Sequence, residues 1–169
     1  REGFRVAHDI SAYSFPALAK AALPRLRANS ALLTLSYLGA VRSVPHYNTM
    51  GLAKASLEAS VRYLAASLGP KGIRVNGISP GPIEGSWGME NVVSPTQEMK
   101  DHIGQSMPLR RWGTVDDVAD SALFLSSDAA SYITATILDT DGGAVISVPA
   151  TDKADKNDVR VKGRGHKVE

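Results

Sequence analysis

Apolar positions recur at helical spacing from Phe4 through Ile10, Phe15, Leu18, Ala19 and Ala22 to Leu26, which predicts a helix over residues 4–28. Pro16 weakens that helix, and Pro24 is placed to end or bend it, because proline brings no amide hydrogen to the ladder. The pattern then changes. Residues 30–37, SALLTLSY, are an apolar run of strand length without polar alternation in its first half, as expected of a strand covered on both faces of a parallel sheet. After a loop with Gly39 and Pro45, residues 47–68 are rich in Ala and Leu and predict a helix, closed by the turn residues LGPKG. IRVNGIS (73–79) predicts the next strand, and PGPIEGSWG (80–88) is expected to interrupt regular structure. Two further helices are predicted at 95–106, behind Pro95, and at 114–128. Thr114 can cap the second, and acids crowd its first turn. TATILDTDGG (134–143) supplies a last strand and a Gly–Gly turn.

The order helix, strand, helix, strand, helix, helix, strand indicates an α/β fold with parallel crossovers and no internal repeat. The 169 residues are 43% hydrophobic and 21% charged, which suits one soluble globular domain or a piece of a larger one. The chain opens without a methionine, on the approach to a helix, and reads as the later part of a longer protein. Residues 151–169 carry six basic and four acidic residues with few large apolar ones, so a solvated extension is expected beyond a body at 1–150. The formal charge of +2 is too small to point to nucleic acid or acidic lipid. Without cysteine, disulfides and thiolate metal sites are excluded, and the four histidines have no ligand spacing. No apolar run approaches the roughly 18 residues of a membrane span, and the first ten residues lack the plan of a signal peptide. A cytoplasmic setting is the plain expectation.

Candidate chemistry centres on Tyr47 and Lys54. Seven residues are close to two helical turns, so both project from one face. An ammonium nearby favours phenolate and draws a tyrosine below its usual pKa of about 10, and it can also donate to ribose hydroxyls. A positioned phenol donates a proton or hydrogen bond to an oxygen gaining charge. The spacing alone is common, and its setting is what distinguishes it. Ligands of open parallel sheets bind at the carboxyl ends of the strands. Tyr37 ends one predicted strand, Pro80, Gly81 and Pro82 follow the other, and Tyr47 opens the helix between them. Gly and Pro there would let backbone approach a flat ligand.

LLTLSYLGA, YNTMGLAKASLEASVRYLA, GIRVNGISPGPI, PLRRWGTVDDVADSALFL and DGG, in this order over residues 1–148, resemble the bacterial enoyl-acyl-carrier-protein reductases. These form a divergent branch of the short-chain dehydrogenase/reductase superfamily. Other members place the tyrosine four residues before the lysine, where this chain has Met50; the enoyl reductases use the spacing of Tyr47 and Lys54, with a second tyrosine matched by Tyr37. The resemblance implies a Rossmann-type doubly wound parallel sheet. It also implies NADH- or NADPH-dependent reduction of the trans-2 double bond of an acyl-carrier-protein-linked enoyl thioester, in fatty acid biosynthesis, by a cytoplasmic homotetramer. Tyr47 would hydrogen-bond the thioester oxygen and Lys54 would hold the nicotinamide ribose. Ser36, Pro80, Gly81 and Ile83 would line the cofactor, Tyr37 and Met50 would border the acyl pocket, and residues 84–106 would be a flap. A superfamily member acting on an alcohol or ketone, and a non-catalytic fragment that only associates with intact subunits, are the alternatives.

Three departures stand out. Glu84 and Gly85 follow Ile83 where the family has a threonine two positions after the isoleucine. The stretch EGSWGMENVVSPTQ matches the family flap poorly. The Gly-rich turn that receives the pyrophosphate has no counterpart, so the sheet is expected to lack its first strands, to expose an edge and apolar surface, and to be inactive or poorly folded alone. Elsewhere, His46 reads as a loop histidine rather than a base. Ser11, near Asp9, is a candidate for contact with the site, Asp141 reads as a turn former, and Arg110 and Arg111 as pairing residues. Trp87 reads equally as an acyl cover or as surface packing.

Overall fold

The computed structural model describes residues 1–90 and 96–146. The expected tail at 151–169 and part of the expected flap lie outside the described residues.

The first predicted helix forms in pieces: α1 (Glu2–His8), a π-helical segment (Asp9–Tyr13), α2 (Ser14–Ala22) and a 3₁₀ turn (Leu23–Arg25). Pro16 lies inside α2, and its missing amide and ring would conflict with the carbonyl of Ala12 in a regular helix; the wider π turn falls at that point. Ser14 Oγ donates to the Ile10 carbonyl at 2.6 Å, occupying an acceptor the irregular turn exposes. Pro24 sits in the closing 3₁₀ turn, as its position predicts.

The sheet has three parallel strands in the order β1 (Ala31–Leu35), β2 (Arg74–Pro80), β3 (Ile137–Thr140). Ala31 pairs with Arg74 and Gly77 with Ile137. The long helix α3 (Asn48–Leu68) crosses between β1 and β2, and α4 (Gln97–Ser106) and α5 (Val115–Ser126) lie between β2 and β3. Both faces are covered, so the sheet is doubly wound. Val61, Ala65 and Leu68 of α3 pack with Ile73 and Val75 on one face, joined by Phe15 of α2. Leu125 of α5 and Ala130 pack with Ile78 on the other. Burying one such aliphatic side chain contributes roughly 1.5–3 kcal/mol.

β2 is the strand buried on both faces, and the side chains of its buried Arg74 and Asn76 both have partners. Arg74 donates to the carbonyls of Leu125 (2.6 Å) and Ser127 (3.1 Å), closing the end of α5. Asn76 donates to Ile133 O at 2.8 Å and accepts from Thr136 N at 3.1 Å, holding the approach to β3. β1 departs from its expectation. It is half-buried, and Leu35 is 52% exposed, because β1 is an edge strand among the described residues. Beside it Leu33, Thr34 and Leu35 form an apolar groove of about 350 Å³ with Val115, Val118, Ala119 and Ala122 of α5. The exposed edge and apolar surface are those expected of a sheet without its first strands. No helix among the described residues is long and apolar enough to cross a membrane.

The start of α5 is the most heavily bonded helix end. Thr114 Oγ1 accepts from Asp117 N at 3.2 Å, and Asp117 Oδ2 accepts from Thr114 N at 2.7 Å, a reciprocal capping box. Arg111 clamps the same carboxylate through two bonds of 2.7 and 2.8 Å. The Arg111 guanidinium, then the Thr114 donors, hold the Asp117 carboxyl well below the usual carboxylate range. A carboxyl depressed in the folded state stabilises it above the unfolded carboxyl's pKa, and that contribution is lost as pH falls. Thr114→Ala is therefore expected to cost about 1 kcal/mol in urea unfolding at pH 7. Asp117→Asn should lower the urea midpoint at pH 7, with the gap from wild type closing below about pH 4. An equal gap at pH 3 and pH 7 would contradict this role.

Candidate active site

The carboxyl ends of β1 and β2 and the amino end of α3 meet at one edge of the sheet. Tyr37 leaves β1 in an extended conformation and starts the 3₁₀ turn Leu38–Ala40, while Tyr47 is the N-cap of α3. The two rings pack edge to face, centroids 4.8 Å apart at 63°. Exposed His46, at φ 61°, takes a left-handed backbone turn into Tyr47 and acts through its backbone.

Two glycines shape the slot that Tyr47 occupies. A Cβ on Gly39 would stand 2.5 Å from Tyr47 Cδ1, and one on Gly51 would stand 2.7 Å from the Gly39 carbonyl. Gly51 also donates its amide to Tyr47 O at 2.6 Å. Sequence reasoning places Gly39 in a loop and singles out nothing at Gly51, where the available signal was the low helix propensity of glycine.

Lys54 reaches from the second turn of α3 to the carboxyl end of β1, where Nζ donates to Leu35 O at 2.9 Å. Burial pushes its ammonium down from the usual lysine value, and the Glu58 carboxylate opposes that shift. Tyr37 is pushed up by burial. Tyr47 is also pushed up, by burial first and then by Tyr37. The expectation that Lys54 draws the Tyr47 phenol toward ionisation is not met. Desolvation dominates at both groups, pushing the phenol up and the ammonium down.

Met50 lies one turn into α3, and Ser11 Oγ approaches its sulfur at 4.0 Å from the π-helical segment. The distorted helix thus touches the residue expected at the acyl pocket. Asp9 pairs with Arg5 instead. Ser36, expected to line the cofactor, is bonded within the protein. It is 5% exposed, its amide donates to Ile78 O, and its hydroxyl donates inward to Glu58 at 2.5 Å.

Pro80 ends β2, followed by Gly81, Pro82 and Ile83 at the same edge. A Cβ on Gly81 would come within 2.7 Å of the Asp141 backbone, so chain packing requires glycine there. Ile83 is buried and forms a parallel bridge with Gly113, whose missing Cβ makes room for the isoleucine δ-methyl. Gly85 takes φ 70°, a turn that suits glycine where the family has threonine. Asp141 accepts from Gly143 N and Val145 N, the turn-forming part expected of it. Arg110 donates to Gln105 O, and Arg111 is held by Asp117. Across the expected flap, Lys100 of α4 pairs with Glu90 at 3.0 Å, and Trp112 Nε1 donates to Lys100 O at 2.7 Å. An open cavity of about 500 Å³ lies between α5 and β3, lined by Pro108, Arg111, Asp117 and Asp139 among others, and includes neither tyrosine nor Lys54.

A family model described as enoyl-(acyl carrier protein) reductase matches residues 1–145. The chain is 52% identical over 147 residues to the enoyl-acyl-carrier-protein reductase (NADH) FabI of Salmonella typhimurium, covering 87% of this chain and 55% of that protein. It is 47% identical to the Bacillus subtilis FabI over 143 residues, again covering 55% of the relative. Among solved structures, the Bacillus cereus enoyl-acyl carrier protein reductase, crystallised with NADP+ and indole naphthyridinone, superposes with a TM-score of 0.78 at 45% identity. That match covers 88% of this chain and 57% of that one. The Aquifex aeolicus enoyl-acyl-carrier-protein reductase (NADH) gives 0.75 at 43% identity. The chain thus spans a little over half the length of these relatives.

If Gly39 holds the slot open, Gly39→Ala should displace the Tyr47 ring while leaving the helix content unchanged. The expected result is loss of nuclear Overhauser contacts between the Tyr37 and Tyr47 rings with an unaltered far-UV spectrum; retained ring contacts would overturn the assignment.

Proposed function

The chain belongs to the enoyl-acyl-carrier-protein reductase family, and from that membership we propose that it carries the tyrosine–lysine side of an NADH- or NADPH-dependent enoyl thioester reductase. The observation that carries the reading is one arrangement. Lys54, seven residues after Tyr47, is anchored on Leu35 O, and Tyr47 packs against Tyr37 at the carboxyl end of the sheet.

The residues suit the nicotinamide end of such a cofactor. An ammonium has three donors, and Lys54 gives one to Leu35 O, leaving others for ribose hydroxyls. Pro80 and Ile83 line the same edge. A reduced nicotinamide, when bound, would supply the hydride for the β-carbon of the enoyl thioester, with the double-bond electrons moving toward the thioester oxygen and a proton taken up at the α-carbon. Tyr47, kept protonated by burial, directs its hydroxyl at that oxygen as charge develops. Tyr37 fixes the Tyr47 ring, and Met50 borders the acyl chain. The described parts of the expected flap, 84–90 and 96–106, would cover the substrate, with the Glu90–Lys100 pair tying them together. We further propose a cytoplasmic homotetramer with an acyl-carrier-protein-linked substrate. The phosphate-binding turn has no counterpart in these residues, so cofactor binding requires the part of the relatives that this chain does not span.

Joined to the remaining part of the Salmonella relative, the chain is expected to oxidise NADH with crotonyl thioester, while the 169-residue chain alone shows negligible turnover. Lys54→Ala and Tyr47→Phe should each lower kcat/KM by at least about a hundredfold. The rate should fall as pH rises through the lowered pKa of Lys54, below the free-lysine range. Turnover of a secondary alcohol without enoyl reduction would favour the other superfamily chemistry, and robust activity of the chain alone would overturn the incomplete-site reading.

A further inference from the structure

Glu58 is a buried carboxylate that the reaction above does not use. It lies one turn after Lys54 on the same face of α3 and is 7% exposed. Burying a carboxylate is costly unless it is paired or hydrogen-bonded. Its hydrogen-bond partner is neutral, the Ser36 hydroxyl at 2.5 Å. A glutamine could accept that bond equally well, so the hydrogen bond alone does not account for an acid here. The neighbouring positive charge is Lys54, whose ammonium is favoured by Glu58 against the effect of burial.

The contacts close a ring. Glu58 holds Ser36, the amide of Ser36 bonds Ile78 O in β2, and the residue before Ser36 offers its carbonyl to Lys54. The residue after Ser36 is Tyr37, which packs on Tyr47. We propose that Glu58 is a positioning residue of this site, its buried carboxylate fixing the carboxyl end of β1 through Ser36 and serving as the fixed negative charge for Lys54. The inference rests on the reading of Tyr47 and Lys54 as the working pair.

Other titratable groups on the elements around α3 are accounted for. Arg5 of α1 is held by Glu2 and Asp9, and Arg74 of β2 by the Leu125 and Ser127 carbonyls. Tyr37 and Tyr47 stay neutral through burial. His8, Tyr13, Lys20 and Lys71, on α1, the π-helical segment, α2 and the 3₁₀ turn after α3, make no charge interaction with Lys54.

The test is a titration of Lys54 in the full 169-residue chain, by NMR of side-chain-labelled lysine with Lys54→Arg as the assignment control. Glu58→Gln keeps an acceptor for Ser36 and removes the charge. It should retain the Tyr37–Tyr47 ring contacts while Lys54 titrates at lower pH than in wild type. Glu58→Asp keeps the charge and should leave the Lys54 titration close to wild type. Glu58→Ala should lose the ring contacts as well. An unchanged Lys54 titration in Glu58→Gln would overturn the proposal. Because this readout needs no substrate, it stands or falls separately from enoyl reduction, whose failure would show as absent NADH oxidation when the wild-type chain is joined to the remaining part of the Salmonella relative.

Discussion

Ala53, Leu57, Val61, Ala65 and Leu68 draw one buried stripe along α3, and their packing against β2 and its surroundings sets how the helix is rotated about its own axis. Each residue advances a helix by about 100°, so a small error in that rotation would swing every polar side chain on α3 away from the sheet edge. The stripe is made of small and medium aliphatic residues, which lets the helix lie close to the strand. Lys54 and Glu58 each follow a stripe residue by one position, at the border where a charged group can be half-covered or fully covered. The candidate chemistry is thus set by an apolar contact that takes no part in it.

Desolvation is the electrostatic theme of this edge. Tyr37, Tyr47 and Lys54 are all shifted toward their neutral forms by burial, and neighbouring groups only modify that trend. A neutral phenol is the form able to donate to an oxygen acquiring charge. A lysine in the same setting needs a compensating anion to remain a cation, which separates the demands of the two members of the pair. The tyrosine is served by burial alone, whereas the lysine needs a partner.

Most of the fold could be read from the chain. The three strands and the helices α3 to α5 fall within a few residues of their predicted limits because each has a clear period, cap or closing turn. The π-helical segment could not be read, since apolar spacing is nearly the same on either side of it and only Pro16 hints at the conflict. β1 was read as fully covered because the residues that would cover an edge are not visible in the strand itself. At the site, the Tyr47–Lys54 spacing was legible and took its meaning from a family resemblance. Gly39, Gly51 and Glu58 were not, for one reason. Each matters through a neighbour brought close by tertiary packing: a tyrosine ring, a carbonyl or a serine hydroxyl, at distances that no local pattern encodes. Ser36 and Gly81, read as lining the cofactor, also meet packing demands that no local pattern shows.

The parallel sheet also orders events in time. Ala31 finds Arg74 43 residues along the chain, and Gly77 finds Ile137 60 residues along. Loop-closure entropy separates two such searches by only about 0.3 kcal/mol, too little to decide which comes first. The contents of the loops differ more. The first is spanned largely by a single 21-residue helix, which once formed carries the chain back along the sheet, whereas the second must arrange α4, α5 and the Asn76-held turn. Both tyrosines, Lys54, Ser36 and Glu58 all fall within that first β–α–β unit. During synthesis, the tyrosine–lysine edge can therefore assemble before the ribosome has delivered β3.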